Sequence, residues 1–189
     1  MNMFVWTKMG VESGEGLGQI VRRKEAERVE GNGQFWWGIG NSLGPAVRDA
    51  ARAQGGRLPV LFSVMLGKPK AADRSPELIW LWTGWEDEAG RIHATPAHAK
   101  VISRGAAAKD RHYALVCHSD ASLSLTRGGA RFDPSRCRTL SGKLPGASQV
   151  TALLRGDPDT HESGPYEICF RAVLVEPWAV KLVWPRAVF

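Results

Sequence analysis

The sequence predicts an α+β fold in which strands outnumber helices, and three observations predict it. Runs of β-branched and aromatic residues recur between turn formers along most of the chain. Helix formers dominate only three stretches, Gln19–Glu30, Ala46–Gln54 and Ser148–Arg155. The run from Tyr166 to Trp184 is long and strongly strand-forming, as in segments that close a sheet or barrel. With 189 residues the chain forms one domain, 1–189, able to bury roughly 70% of its unfolded surface without staples.

Phe4–Met9 reads as the first strand, and the four glycines of Gly10–Gly18 argue against a regular element there. Gln19–Glu30 is charged with alternating sign, and Ile20, Val21 and Val29 make only a thin apolar stripe, so a surface helix is the reading favoured over a charged strand. Next comes Gly31-Asn32-Gly33-Gln34-Phe35-Trp36-Trp37-Gly38-Ile39-Gly40, three aromatics bracketed by four glycines. A strand alternates its faces, so Phe35 and Trp37 point one way and Trp36 the other, and both faces must be covered or used. Pro45 suits a helix start and Gly55-Gly56 a stop, which bounds the helix Ala46–Gln54.

From Leu58 strands take over. Leu58–Leu66 and Leu78–Trp85 are followed by the polar turn Glu86–Gly90, which returns the chain into Arg91–Ala94 as a hairpin. Lys100–Ser103 and His112–Ser119 add two short strands. The stretch 126–165 reads as a long basic excursion rich in Gly, Pro and Arg, with a short helix over Ser148–Arg155 and room for a protein partner. In the last strand Glu176-Pro177 marks an edge or a bend.

Charge narrows the function. The net charge of +6 resides between Lys100 and Lys143, where nine basic residues (Lys100, Arg104, Lys109, Arg111, Arg127, Arg131, Arg136, Arg138, Lys143) face Asp110, Asp120 and Asp133. A localised basic band is what a polyanion-binding face requires, because phosphate contacts gain from released counterions. A solvated loop kept soluble by arginines would read the same way. Cys117, Cys137 and Cys169 are odd in number and widely spaced, as reduced packing thiols are. The first residues lack a secretory pattern and no stretch reaches bilayer-spanning length, so a cytoplasmic protein without a membrane partner is expected.

Metal and nucleophile chemistry find little purchase. No Cys-x-x-Cys pair is present, and Cys117 and His118 would face opposite sides of a strand, so no metal is expected. There is no Gly-x-Ser-x-Gly elbow, and the glycines of Gly14–Gly18 lack the Gly-Lys-Ser/Thr ending of a phosphate loop. No cofactor is expected. The tryptophans are more telling: eight of them, nearly all in predicted strands, exceed what two tyrosines lead one to expect. Core packing explains most, yet a base stacks on an exposed indole for roughly 1–3 kcal/mol whatever its identity.

The strand Phe4-Val5-Trp6, the Phe35-Trp36-Trp37-Gly38-Ile39-Gly40 strand, the helix after Asn41-Ser42, the strand Val60-Leu61-Phe62-Ser63 and the late Pro177-Trp178 together resemble the PUA-like superfamily, its EVE-type domains in particular. The resemblance covers Met3–Ser119 and the last strands. It implies a strongly bent mixed β-barrel flanked by a few helices, with a pocket for a flipped or unpaired, often modified, base. By position it assigns Trp36 and Trp37 to the pocket wall, Trp82 to the opposing stack, and Asn41, Ser42 and Ser63 to the base edge. Trp37 is the expected wall and Trp36 the expected core, because Gly38 leaves room beside Trp37. DNA or RNA phosphates would lie along Lys100, Arg104, Lys109, Arg111, Arg127, Arg131, Arg136 and Arg138.

The expected function is therefore non-catalytic nucleic-acid binding by capture of one base. A nucleic-acid-processing enzyme with His118 and Asp120, or His112, as acid/base groups is the first alternative. An interaction module with 126–165 as its contact arm is the second.

Overall fold

A computed structural model describes residues 2–10, 15–40, 42–67, 79–104, 112–125, 129–159 and 161–188. These residues form eleven strands, two α-helices that lie between the first three strands, and a short 3-10 turn over Pro134–Arg136, which is a mixed α+β architecture. β1 (Met3–Lys8), α1 (Leu17–Glu30), β2 (Gln34–Ile39), α2 (Gly44–Ala53) and β3 (Leu58–Met65) come first. β4 (Ile79–Glu86), β5 (Ile92–Ala94), β6 (Ile102–Arg104) and β7 (Tyr113–His118) follow. The chain then runs through β8 (Arg131–Phe132), β9 (Arg138–Thr139), β10 (Thr151–Arg155) and β11 (Tyr166–Val188).

All strands join one sheet whose main path is β2-β7-β11-β3-β1-β10-β9, with β4 paired to β11, β5 and β6, and β8 to β11. Only β1 and β3 pair in parallel, Val5 opposite Val60; the other pairings are antiparallel. β11 is the spine. Its first part lies against β3, its register breaks between Leu174 and Ala179, and its last part pairs with β7 and then β4. The break in pairing with β7 spans Glu176-Pro177, whose peptide bond is cis.

Alternation along the strands sorts the interior into three clusters. Val5, Phe35, Phe62, Leu115 and Leu174 face α2 in the largest. Phe4, Trp6, Leu61, Phe132 and Leu154 form the second, on the opposite face of β1 and β3. Trp36, Trp82, Val101, Val116 and Leu182 form the third. Both faces of β2 are thus occupied, with Phe35 fully buried on one side and Trp36 on the other.

Two expectations change. Ser148–Arg155 is not a helix: Thr151–Arg155 is β10, in register with β1 from Thr7 opposite Thr151 to Met3 opposite Arg155. Four consecutive buried residues, with Leu153 in one cluster and Ala152 and Leu154 in another, need a strand covered on both faces, and this pairing overrides local helix propensity. The described part of 126–165 accordingly supplies three strands and the buried Phe132, Cys137, Ala152 and Leu154. Helix α1 begins at Leu17 and so includes Gly18 of the glycine-rich run. Cys117, Cys137 and Cys169 are buried free thiols. Among the described residues no helix is long and apolar enough to cross a membrane.

α1 is fastened by its charged residues. Arg28 donates to both carboxylate oxygens of Glu25, at 2.8 and 2.7 Å, and Leu123 N–H donates to Glu25 Oε2 at 2.8 Å, tying the helix to the segment after β7. The Arg28 hydrogen bonds lead in holding the Glu25 carboxyl down at about 2. A depressed carboxylate stabilises the fold above its ordinary range and stops doing so as pH falls toward the folded value. Glu25→Gln is expected to cost about 1 kcal/mol at pH 7, since the partly exposed pair is screened, or about 2–4 °C in Tm. Thermal melts should show this gap closing between pH 4.5 and 2.

Candidate functional site

Residues from strands far apart on the sheet's path line one cleft. β2 starts the strand path and β10 lies near its other end, yet Trp37–Gly40 at the end of β2 and Ser148–Thr151 leading into β10 line the same cavity of about 550 Å³. Lys8 at the end of β1 and Gly10 after it also line the cleft, with Glu15 ahead of α1, Ile20, Arg23 and Lys24 of α1, and Val101–Ser103, His112 and Leu182. The volume falls within the roughly 300–1,000 Å³ of small-ligand sites.

Trp37 is half-buried, its ring edge-on to Phe62 at 4.8 Å, and it lines the cleft. Gly38 beside it is exposed and lies so close to Val101 that an added Cβ would stand 2.8 Å from Val101 Cγ1. Trp36 is core at 2% exposure. Its N–H and C=O point to the outer edge of β2, where Glu27 Oε1 accepts the N–H at 3.3 Å and Lys24 Nζ donates to the C=O. Backbone groups on one strand edge repeat every second residue, so the peptide groups of Gly38 face the same edge, toward the cleft.

The cations of the cleft are already engaged. Lys24 Nζ is 2.6 Å from Glu27 Oε2, and burial pulls its pKa below the ordinary lysine value against the pull of Glu27. Arg23 Nη2 meets Glu15 Oε2 at 3.1 Å and Nη1 donates to Lys100 O at 2.9 Å. Lys8 Nζ donates to Ala147 O at 2.9 Å and lies over the rings of Trp6 and Tyr166, 5.1 and 5.6 Å from their centroids. With each ammonium or guanidinium held by carbonyls or carboxylates, the interior suits a neutral polar ring better than a phosphate.

The other expected site residues scatter. Ser63 is fully buried on the second cluster's side of β3, where its Oγ accepts Trp6 Nε1–H at 2.8 Å, and it is not among the residues lining this cleft. Ser42 is exposed outside the lining, and Asn41 lies outside the described residues. Trp82 is buried and backs the wall: its Nε1–H donates to Ser103 Oγ at 2.8 Å, and its ring lies 5.1 Å from that of His112. Of the phosphate candidates, Lys109, Arg111, Arg127 and the Arg104 side chain lie outside the described residues. Lys100 is exposed next to the lining residues Val101–Ser103. Arg131, Arg136 and Arg138 are exposed but do not line the cleft; Arg131 sits opposite Glu167, and Arg138 Nη1 donates to the carbonyls of Ser135 and Cys137, both at 2.8 Å.

His118 and Asp120 are also elsewhere. His118 lies at the opposite end of β7 from the cleft, against Gly33, and its Nδ1 is 3.9 Å from an Asp120 carboxylate that is almost wholly exposed. Among the described residues, no cluster of three or more His, Cys, Asp or Glu is placed to hold a metal ion. Sequence reasoning missed Lys8, Arg23, Lys24, Ser103 and Gln149 as lining residues. For Arg23 and Lys24 the one local signal was the charge of α1 on positions that a surface helix would leave in water.

No family model matches the chain, and no curated protein or solved structure does either.

Proposed function

We propose that this chain is a non-catalytic nucleic-acid-binding domain that takes one flipped or unpaired base, a modified one included, into the cleft at the seam of its sheet. The single observation that carries the reading is the half-buried Trp37 among the residues lining a base-sized cleft whose Lys8, Arg23 and Lys24 are already held by carbonyls or carboxylates. An extruded base loses a few kcal/mol of stacking, and an indole face and a few short polar groups are how a protein restores it. Phosphates, which the interior does not suit, would remain on the rim, where Lys100 is exposed next to the lining residues Val101–Ser103. The order β-α-β-α-β at the start of the chain and a curled sheet with an open seam support a PUA-like pseudobarrel as the finer description of the fold. The distance of His118 and Asp120 from the cleft favours binding over catalysis by that pair.

Titration of fluorescent single-stranded and mismatched duplex oligonucleotides, with and without modified bases and at several salt concentrations, tests the proposal. Affinity is expected to fall linearly with salt on a double logarithmic plot. Absence of binding, or binding with neither salt dependence nor response to Trp37→Ala, overturns it.

A further inference from the structure

We infer that His112 selects the ligand in this cleft, donating one hydrogen bond from Nε2 to a carbonyl oxygen on the edge of a planar ring. The inference rests on the base-capturing reading and adds which bases are taken.

His112 Nδ1 is sealed from solvent with no hydrogen-bond partner, while the imidazole lines the cleft. A buried N–H without an acceptor costs more than a buried lone pair, since orphaned donors are the rarer case in folded proteins. The proton of the neutral ring is therefore assigned to Nε2, the nitrogen on the side of Gly40, where an added Cβ would stand 4.0 Å away. Burial lowers the His112 pKa, in keeping with a ring that stays neutral rather than place a second N–H on the sealed side.

A neighbouring group offers a second donor. Ser103 Oγ accepts the indole N–H of Trp82, so its own proton is free to be donated, and Ser103 lines the same wall as His112. Trp82 backs both, through that hydrogen bond and through its tilted ring contact with His112. A wall with donors at Ser103 and His112 suits an edge rich in acceptors. Guanine, cytosine, uracil and thymine each carry a ring carbonyl; adenine alone has none. The ligand class is thus an oxo-bearing base, with adenine disfavoured because it would leave a desolvated donor unpaired.

The test uses the full chain and four single-stranded oligonucleotides identical except for A, C, G or U at one central position, the flanks being abasic. Wild-type protein is expected to bind the A oligonucleotide about 10- to 100-fold more weakly than the best of the others. His112→Phe, which keeps a ring against Trp82 but removes the donor, should reduce that ratio about tenfold without weakening adenine binding, and His112→Gln, which restores an N–H donor, should recover part of it. Thermal melts of each variant separate loss of donor from loss of fold. Equal binding of all four by the wild type, or an unchanged ratio in a folded His112→Phe protein, overturns the inference and leaves base capture standing. No binding to any of the four overturns the inference, and base capture falls with it when the mismatched duplexes and modified bases of the titration above also fail to bind.

Discussion

Glu27→Ala is expected to destabilise the protein by about 3–5 kcal/mol, the usual cost of removing one partner from a buried ion pair. Glu27 is 1% exposed and Lys24 3%. One carboxylate oxygen accepts the backbone N–H groups of Trp36 and Lys100, at 3.3 and 3.1 Å, while the other lies 2.6 Å from Lys24 Nζ. The Lys24 ammonium in turn donates to the carbonyls of Trp36 and Lys100. This pair therefore replaces the missing neighbour of edge strand β2 and holds the segment leading into β6 beside it. Without Glu27 a buried ammonium loses its counter-charge and two backbone donors lose their acceptor. Urea unfolding at pH 7 measures the loss.

The pH dependence of that variant has a defined sign. Burial already lowers the Lys24 pKa, and removing Glu27 takes away the largest influence that raises it. Between a lowered folded pKa and the ordinary 10.5, the unfolded chain binds more protons than the folded one, so stability rises with pH. Glu27→Ala should regain stability relative to wild type as pH climbs toward 10, when Lys24 is free to fold neutral. Lys24→Met with Glu27→Leu should recover only part of the loss, because apolar side chains leave the edge groups of Trp36 unpaired.

This pair also explains where sequence legibility stopped. Strand β2 was readable because Phe35, Trp36 and Trp37 exceed what one face can hold, and period-two alternation then assigns Trp36 and Trp37 to opposite faces. Helix α1 read as a surface helix because Lys24 and Glu27 count as polar, whereas here they are buried by pairing with each other and with a strand edge. β10 was misread because Thr151–Leu154 has too few residues for a helical period and owes its strand state to β1, more than 140 residues away in the chain. The cleft was half legible. Trp37 and Gly38 announced one wall, but Lys8, Gln149 and Ser103 reach the cleft only through strand pairings between segments far apart in the chain, which no local pattern encodes.

Trp37→Ala is expected to weaken oligonucleotide binding by roughly 5- to 150-fold, the equivalent of 1–3 kcal/mol for one stacked base. The salt slope should stay unchanged, because it counts phosphates neutralised at the rim and Trp37 contributes none. Trp37 also packs edge-on against Phe62, which itself stacks on Phe170 at 4.4 Å, so the alanine variant will lose stability as well as affinity. Trp37→Phe resolves the two effects: a phenyl ring keeps a face for the base and an edge for Phe62, and should lose less than tenfold in affinity. Trp36→Ala is the control of opposite character. Its side chain fills the third core cluster and does not line the cleft, so it should cost about 3–5 kcal/mol in stability while the folded fraction binds as before. A Trp37→Ala protein that is folded yet binds as tightly as wild type would mean that the base stacks elsewhere, whereas a shallower salt slope would mean that the tryptophan orders the phosphate-bearing rim rather than holding the base.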